Sequence, residues 1–313
     1  MKLIKPKFWD KKINLFAFFL LPFSLIYLLI IFLKKKITFS KRFKIPIICV
    51  GNIYIGGTGK TPISINLCRE ISKLGKKSAL LRKYYQSHTD EYKLIKSKFD
   101  NLILTKNRVE ELRKLERSDT DLVIMDDGFQ DYAIKKNLNI VCFNSNQLIG
   151  NGFVLPAGPL RENLTALQQA HIVIINGHKV KKFEEKILKI NNNLEIFYSH
   201  YKPVNIHKFK NKKLHAVAGI GNPDNFFQLI ESYDLKIEEK LIFPDHYIFS
   251  KDEIENITKK ATEKNCTVIM TEKDYFKIKD FKLNNIDYLQ VNLEINLQEK
   301  LLSKIIKLYD KKN

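Results

Sequence analysis

The sequence predicts an α/β fold: a P-loop NTPase-like, mostly parallel sheet flanked by helices, with a second, smaller α/β lobe and an N-terminal membrane helix. Three observations predict it. Short apolar runs such as "IPIICV", "SALLR", "DLVIMDD", "NIVCFN" and "HIVIIN" alternate with amphipathic or loop-length stretches, the rhythm of βαβ units. One of these runs leads directly into the glycine-rich turn "GNIYIGGTGKT". An uncharged apolar segment precedes them all.

That first segment, "INLFAFFLLPFSLIYLLIIFL", covers residues 13–33. Its roughly 20 residues suffice for a helix to cross a bilayer. Lys11 and Lys12 flank one end and Lys34, Lys35 and Lys36 the other, so charge sets no orientation. Pro22 would kink or break a straight helix. The run is too long for a cleaved signal, and apolar residues fill every face, unlike a core helix. The expectation is a membrane anchor over residues 1–36, either spanning or lying in one leaflet. The basic tether "KKKITFSKRFK" then suits anionic headgroups.

Strand "IPIICV" follows, then the phosphate loop, then the helix "TPISINLCREISKLG" ending at Gly75. The loop departs from the usual G-x-x-x-x-G-K-[ST] pattern, because Tyr54 stands where its first glycine belongs. Gly56, Gly57 and Gly59 let the backbone turn its N–H groups toward phosphate oxygens at a helix N-terminus. Tyr54, Ile55, Gly56, Gly57, Thr58, Gly59, Lys60 and Thr61 are therefore the candidate nucleotide-binding residues. Lys60 is placed to reach the β- and γ-phosphates and Thr61 to ligate Mg²⁺. The loop is similar to those of dethiobiotin synthetases and partitioning ATPases. Ile55, however, stands where the latter carry their signature lysine. "DLVIMDDGFQD" supplies a Walker-B-like strand, with Asp126 and Asp127 as candidate Mg²⁺ ligands. No N-K-x-D is present and "TEKD", residues 271–274, has the wrong spacing for guanine, so ATP is the expected nucleotide.

From about residue 200 the scheme restarts with "LHAVAGIGNPDNFFQLI", "KIEEKLIFPDHYIF", "CTVIMTEKDYFKI" and "IDYLQVN". The polar "SHYKPVNIHKFKNKK" reads as a hinge. The expected division is a core lobe over 37–205 and a second lobe over 206–313.

Composition narrows the function. At 44% hydrophobic and 28% charged the 313-residue chain can bury a core. The net charge of +20 would suit an acidic partner. The chain's bias toward Lys, Asn, Ile, Phe and Tyr accounts for much of it. No RGG run, zinc-finger spacing or RNP-like motif points to nucleic acid. No obligate protein partner is evident. Cys49, Cys68, Cys142 and Cys266 form no C-x-x-C pair and read as reduced, buried thiols.

In order, "GNIYIGGTGKTP", "DDGFQ", "LPAGPLRE", "FPDHY" and "TEKD" behind an apolar helix resemble the tetraacyldisaccharide 4'-kinase family of lipid A synthesis. The similarity spans nearly the whole chain. It implies phosphoryl transfer from ATP, with Mg²⁺, to the 4'-hydroxyl of a tetraacylated glucosamine disaccharide 1-phosphate. It also implies work at the cytoplasmic face of an inner membrane, on a lipid substrate whose sugar lies at headgroup level. The resemblance makes Asp90 of "LLRKYYQSHTDEYKLI" the candidate base, working with His246 of "FPDHY". It makes Arg161 a catalytic group on the transferring phosphoryl, and Glu162 a support for Mg²⁺ or for the arginine. The sequence departs from the family in two places. "RKYYQ" replaces the usual R-G-Y-G, and Asp131 stands where a histidine often follows "DDGFQ". The rival reading is a membrane-associated ATPase switch of the partitioning or positioning type, which would need the missing lysine.

Overall fold

The computed structural model describes residues 6–10, 14–245 and 247–310. Helix α1 (Leu15–Ile37) is capped by Asn14, whose side chain accepts from the Phe16 N–H at 2.9 Å. Pro22 lies inside it, yet the helix continues through. The proline removes one backbone donor without ending a segment whose other turns remain bonded. The helix is long and apolar enough to cross a membrane by length and composition, and only 11% of its most apolar stretch is buried. Phe19, Leu25 and Ile37 are among its exposed side chains.

The first sheet begins with β1 (Ile47–Gly51), buried at every position, followed by α2 (Lys60–Lys73), which stops before Gly75 in a left-handed conformation. Then come β2 (Ser78–Lys83), α3 (Thr89–Lys98), β3 (Leu102–Thr105), α4 (Arg108–Leu115) and β4 (Leu122–Asp126). Strands β5 (Leu138–Asn144) and β6 (Ile172–Asn176), helix α5 (Lys181–Leu188) and strand β7 (Glu195–Pro203) complete this run. The second sheet contains β8 (Lys213–Ala218), α6 (Pro223–Glu231), β9 (Lys236–Ile242), α7 (Lys251–Glu263), β10 (Cys266–Thr271), α8 (Glu272–Ile278) and β11 (Ile286–Leu289). The chain closes with β12 (Val291–Ile295) and α9 (Gln298–Asp310).

The larger sheet has the order β12-β7-β6-β5-β1-β4-β2-β3. Strand β1 pairs in parallel with β4 on one side and β5 on the other, so the strand order reverses around it. Ligands of open parallel sheets bind beyond the carboxyl ends of strands at such a point. The register pairs Val50 with Asp126, which sets the glycine-rich turn and the two aspartates at one edge. Buried Ile47, Cys49, Val123, Met125, Val141 and Phe143 pack between the sheet and its helices. The smaller sheet, β11-β10-β8-β9, is parallel throughout and has its own core around Leu214, Ala216, Phe227 and Ile230.

By compactness the smaller unit takes residues 88–94 and 201–292, and the larger takes the described residues up to 87, 95–200 and the chain beyond 292. The expected hinge is therefore partly strand, because β7 runs on to Pro203. The stretch after residue 292, expected in the second lobe, belongs to the larger unit. There β12 lies next to β7, the Asn66 side chain donates to the Leu293 carbonyl at 2.9 Å, and Leu301 and Ile305 are buried. All four cysteines are free and buried. Burial pushes the Cys49 thiol up to about 12, which leaves it unreactive.

Candidate active site

The turn after β1 is built to approach a ligand by its backbone. Gly59 precedes α2 with φ of 88° and Gly56 has φ of 117°, conformations that side chains resist. A Cβ on Gly57 would meet nothing within 4 Å, so that edge is open. Beneath the turn, buried Asn52 donates to the Gly56 carbonyl at 3.3 Å and to the Thr58 hydroxyl at 3.0 Å. Thr58 thus turns its side chain inward and presents only backbone to a phosphate. Gly51 is fixed by close approach, since a Cβ there would lie 2.5 Å from that of Phe129.

The lead-in residues, expected to contact the nucleotide, are packed against the segment 154–160. Tyr54 is buried in a small apolar cluster with Val154 and Leu160, and the Ile55 N–H donates to the Pro159 carbonyl at 2.8 Å. The Tyr54 side chain and the Ile55 donor are thus committed to the frame that shapes the loop. This accounts for the absent first glycine: the position is filled by a packed ring.

Two aspartates at the end of β4 differ in burial and partners. Asp126 is fully buried. One of its oxygens accepts from Thr61 at 2.9 Å and from Arg82 Nη1 at 3.1 Å, while the other lies 3.4 Å from Ser64 Oγ. Burial raises its pKa, Asp127 adds to the rise, and Arg82 and Lys60 oppose it. Asp127 adopts φ of 52°, which swings its partly exposed carboxylate away. Arg161 Nη1 reaches it at 3.0 Å and Lys60 Nζ at 3.7 Å. Burial works to raise the Asp127 pKa, but Lys60, Arg161 and Arg108 together hold it below the ordinary range. Arg108 also donates to the backbone carbonyls of Asp126 and Asp127 at 2.6 and 3.3 Å, tying down the strand end.

These residues fit a magnesium nucleotide. Thr61 and Asp126 offer hard oxygen donors within 2.9 Å of each other. Arg82 Nη1 sits 3.0 Å from the Thr61 hydroxyl and 3.1 Å from Asp126, so a positive charge is already favoured between them. Lys60, Arg161 and the glycine turn supply charge and donors for phosphate. Glu162, expected to support Mg²⁺ or the arginine, is engaged by two donors in this structure. Lys35 Nζ takes one of its oxygens at 2.5 Å and Gln130 Nε2 the other at 3.1 Å, leaving a buried carboxylate already satisfied. Among the described residues no group of three or more His, Cys, Asp or Glu is gathered as a metal site.

Asp90 falls in α3, on the segment 88–94 that groups with the smaller unit and not with the first lobe as expected. Its side chain, and the whole of His246, lie outside the described residues. The motif around 271–274 proves to be architectural. The Thr271 hydroxyl caps α8, accepting from the Asp274 N–H at 3.2 Å. Fully buried Asp274 accepts from Thr271 Oγ1, from the Gly219 N–H and from Lys277, each at 2.7 Å. Lys273 donates to Asp245 at 3.2 Å, beside position 246.

Sequence reasoning missed Arg82, Arg108, Gln130 and Lys35. Arg82 carried a signal: a charged residue near the end of an otherwise apolar strand that pairs with Asp126 in register. Lys35 carried none, since its partner is 127 residues away.

A family model described as tetraacyldisaccharide-1-P 4'-kinase matches residues 16–309. A protein named tetraacyldisaccharide 4'-kinase from Pelagibacter ubique (strain HTCC1062) is 42% identical over 315 residues, covering 99% of this chain and 100% of the relative. A protein of the same name from Rickettsia peacockii (strain Rustic) is 36% identical, covering 98% and 99%. Among solved structures, an "apo" form of LpxK from Aquifex aeolicus in complex with ATP matches with a TM-score of 0.70 and 23% identity. It covers 94% of this chain and 100% of that one. This last likeness bears on the fold.

Proposed function

The chain belongs to the tetraacyldisaccharide-1-P 4'-kinase family, and on that premise we propose how its residues carry out the reaction. It is a kinase of lipid A synthesis that phosphorylates the 4'-hydroxyl of a tetraacyldisaccharide 1-phosphate at the expense of ATP. The observation that carries the residue assignment is the convergence of Lys60 and Arg161 on Asp127 beside the Thr61–Asp126 pair. A partitioning-type switch is not favoured, because the family match runs over residues 16–309 and Ile55 replaces the lysine such a switch needs.

In this reading the backbone of Gly56 to Thr61 cradles the nucleotide phosphates and Lys60 reaches the β- and γ-phosphates. Thr61 and Asp126 would hold Mg²⁺, with Asp127 beside them, and the ion would supply neutralisation of phosphate charge. Arg161 stabilises the charge on the transferring group. Asp127 keeps Arg161 and Lys60 together, and Glu162 orients the arginine through the adjoining backbone. Asp90 accepts the proton of the sugar hydroxyl, with His246 orienting or tuning it.

The apolar helix gives the chain a means of meeting a lipid. It holds the protein at the cytoplasmic face of an inner membrane, where the acceptor's acyl chains stay in the bilayer and its sugar is presented at headgroup level. Lys34 and Lys36, exposed at the helix end, suit anionic headgroups.

The test is acceptor dependence. Purified protein with ATP and Mg²⁺ is incubated with tetraacyldisaccharide 1-phosphate, and the lipid is examined by mass spectrometry. A bisphosphorylated product supports the reading; an unchanged lipid with ATP consumed refutes it.

A further inference from the structure

A membrane anchor needs no particular grip on the domain it carries. Here α1 grips one segment, and that segment bears the proposed catalytic arginine. Ala17, Ser24, Leu28 and Lys35 recur at helical spacing and so share one face. Ala17 and Ser24 are buried, while most of the helix's large apolar side chains are exposed. Ser24 Oγ donates to the Val154 carbonyl at 2.9 Å and accepts from the Ala157 N–H at 3.1 Å. The Tyr27 hydroxyl donates to the Arg161 carbonyl at 3.1 Å. Lys35 donates to Glu162. Between Ser24 and Lys35, a span of about three turns, the helix thus holds residues 154–162.

The same segment is stitched to the phosphate loop. Leu160 bridges to Tyr54, the Ile55 N–H donates to Pro159, and the Arg161 N–H donates to the Ile53 carbonyl at 2.7 Å. Glu162 is 2% exposed and its other oxygen accepts from Gln130, which also donates to the Asn52 carbonyl at 2.9 Å. The path from Lys35 to the glycine-rich loop is therefore continuous. Lys35 also differs from its neighbours. Lys34 and Lys36 are exposed, whereas Lys35 turns inward, its ammonium 4.9 Å from the centre of the Tyr132 ring.

We propose that Lys35 is a positioning residue: through Glu162 it fixes the 160–162 backbone so that Arg161 is held against Asp127, making the anchor helix part of the phosphoryl-transfer frame. This rests on the reading of Arg161 given above. A buried charged hydrogen bond is the strong kind, and losing one partner leaves the other buried without its counter-charge. The backbone that Glu162 holds is one residue from the arginine, so its loosening is felt at the guanidinium.

The experiment uses the full chain in detergent, with ATP and a detergent-dispersed short-chain disaccharide 1-phosphate, which removes the need for membrane capture. Lys35→Met is expected to lower kcat by up to about a hundredfold, the scale of an ångström-sized misplacement. KM for ATP should stay near the wild-type value, and Lys35→Arg should restore much of kcat. Glu162→Gln should lower kcat similarly, and the double variant should be little worse than the poorer single one. Should Lys35→Met fail to fold, Lys35→Gln, which keeps a donor, replaces it with a smaller loss expected. Lys34→Met and Lys36→Met should instead weaken retention on anionic vesicles. If Lys35→Met changes only vesicle retention and KM for the lipid, with kcat untouched, or if its loss multiplies with that of Glu162→Gln, the positioning role is wrong. Wild-type protein that phosphorylates no disaccharide would instead overturn the functional reading itself.

Discussion

Replacing Asp126 with Asn separates what the two adjacent aspartates do. The side chain keeps its shape and one acceptor oxygen but loses its charge. Arg82 then faces an amide at a distance where it now meets a carboxylate, 3.1 Å away. Breaking a buried pair from one side costs about 3–5 kcal/mol. An opposing effect reduces this: burial already raises the Asp126 pKa, so an uncharged group relieves some desolvation. The net destabilisation should be about 1–3 kcal/mol, within the usual range for such changes. At roughly 2 °C per kcal/mol for a chain of this size, the melting temperature should fall by about 2–6 °C. The second expected effect is on ligand response. Saturating ATP with Mg²⁺ stabilises a binding-competent protein by about 2.7 kcal/mol at a hundredfold excess over Kd. The wild type should show such a shift and Asp126→Asn should lose most of it. Asp127→Asn changes a partly exposed group and should barely move the melting temperature while lowering kcat, because Lys60 and Arg161 lose their shared partner. Differential scanning fluorimetry with and without ATP and Mg²⁺, beside steady-state kinetics, reads both. An Asp126→Asn protein with the wild-type ligand shift and wild-type kcat would refute the assignment of Asp126 to the metal.

Lys60→Ala should abolish turnover with the fold intact by circular dichroism; retained kcat would mean that the glycine turn is not the catalytic phosphate site. Asp90→Ala and His246→Ala should each lower kcat by roughly 10²–10⁴-fold. The double variant should add little to that loss and KM for ATP should hold, since a coupled pair is non-additive; strictly multiplicative losses would separate the two. His215 is 1% exposed on β8, and burial holds its imidazole below the ordinary value while Glu239, 3.6 Å away, works the other way. A depressed histidine favours its neutral form in the fold, so the unfolded chain takes up protons first as pH falls. Stability should therefore be full above about 6.5 and decline below it. Thermal unfolding of His215→Gln between about pH 7.5 and 5.5 should lack that decline; an unchanged slope would assign it to other groups.

Much of the core was legible because its signals are local. The apolar run before Gly51, the glycines and the run ending at Asp126 each declare a strand or turn within a few residues, and β1 to β4 follow them. Helix α2 ends where Gly75 marked its stop. What stayed hidden depends on pairing across the chain. Strand β7 carries polar residues such as His200 and Lys202, so its sequence reads as a hinge. Strand β12 and α9 return to the larger unit because Leu293 and the apolar face of α9 find partners there, which no local pattern announces. The chemistry divides likewise. The spacing proposed Lys60, Thr61 and Asp126, and the structure gathers them at one edge of the sheet. The packing of Tyr54, the Lys35–Glu162 pair and the placing of Arg82 beside Thr61 and Asp126 emerge only from side-chain positions. Thr271 to Asp274, whose spacing already ruled out guanine selection, is a helix cap with a buried carboxylate at its centre.

The most direct measurement follows the fate of the terminal phosphate of ATP. With γ-labelled ATP, Mg²⁺ and tetraacyldisaccharide 1-phosphate in mixed micelles, the label should appear in the lipid at the 4'-position, located by phosphorus–proton correlation NMR. Little should be released as inorganic phosphate, and Lys60→Ala should transfer none. Label found only as inorganic phosphate, at a rate indifferent to the disaccharide, would contradict the account and return the chain to the class of nucleotide-driven switches.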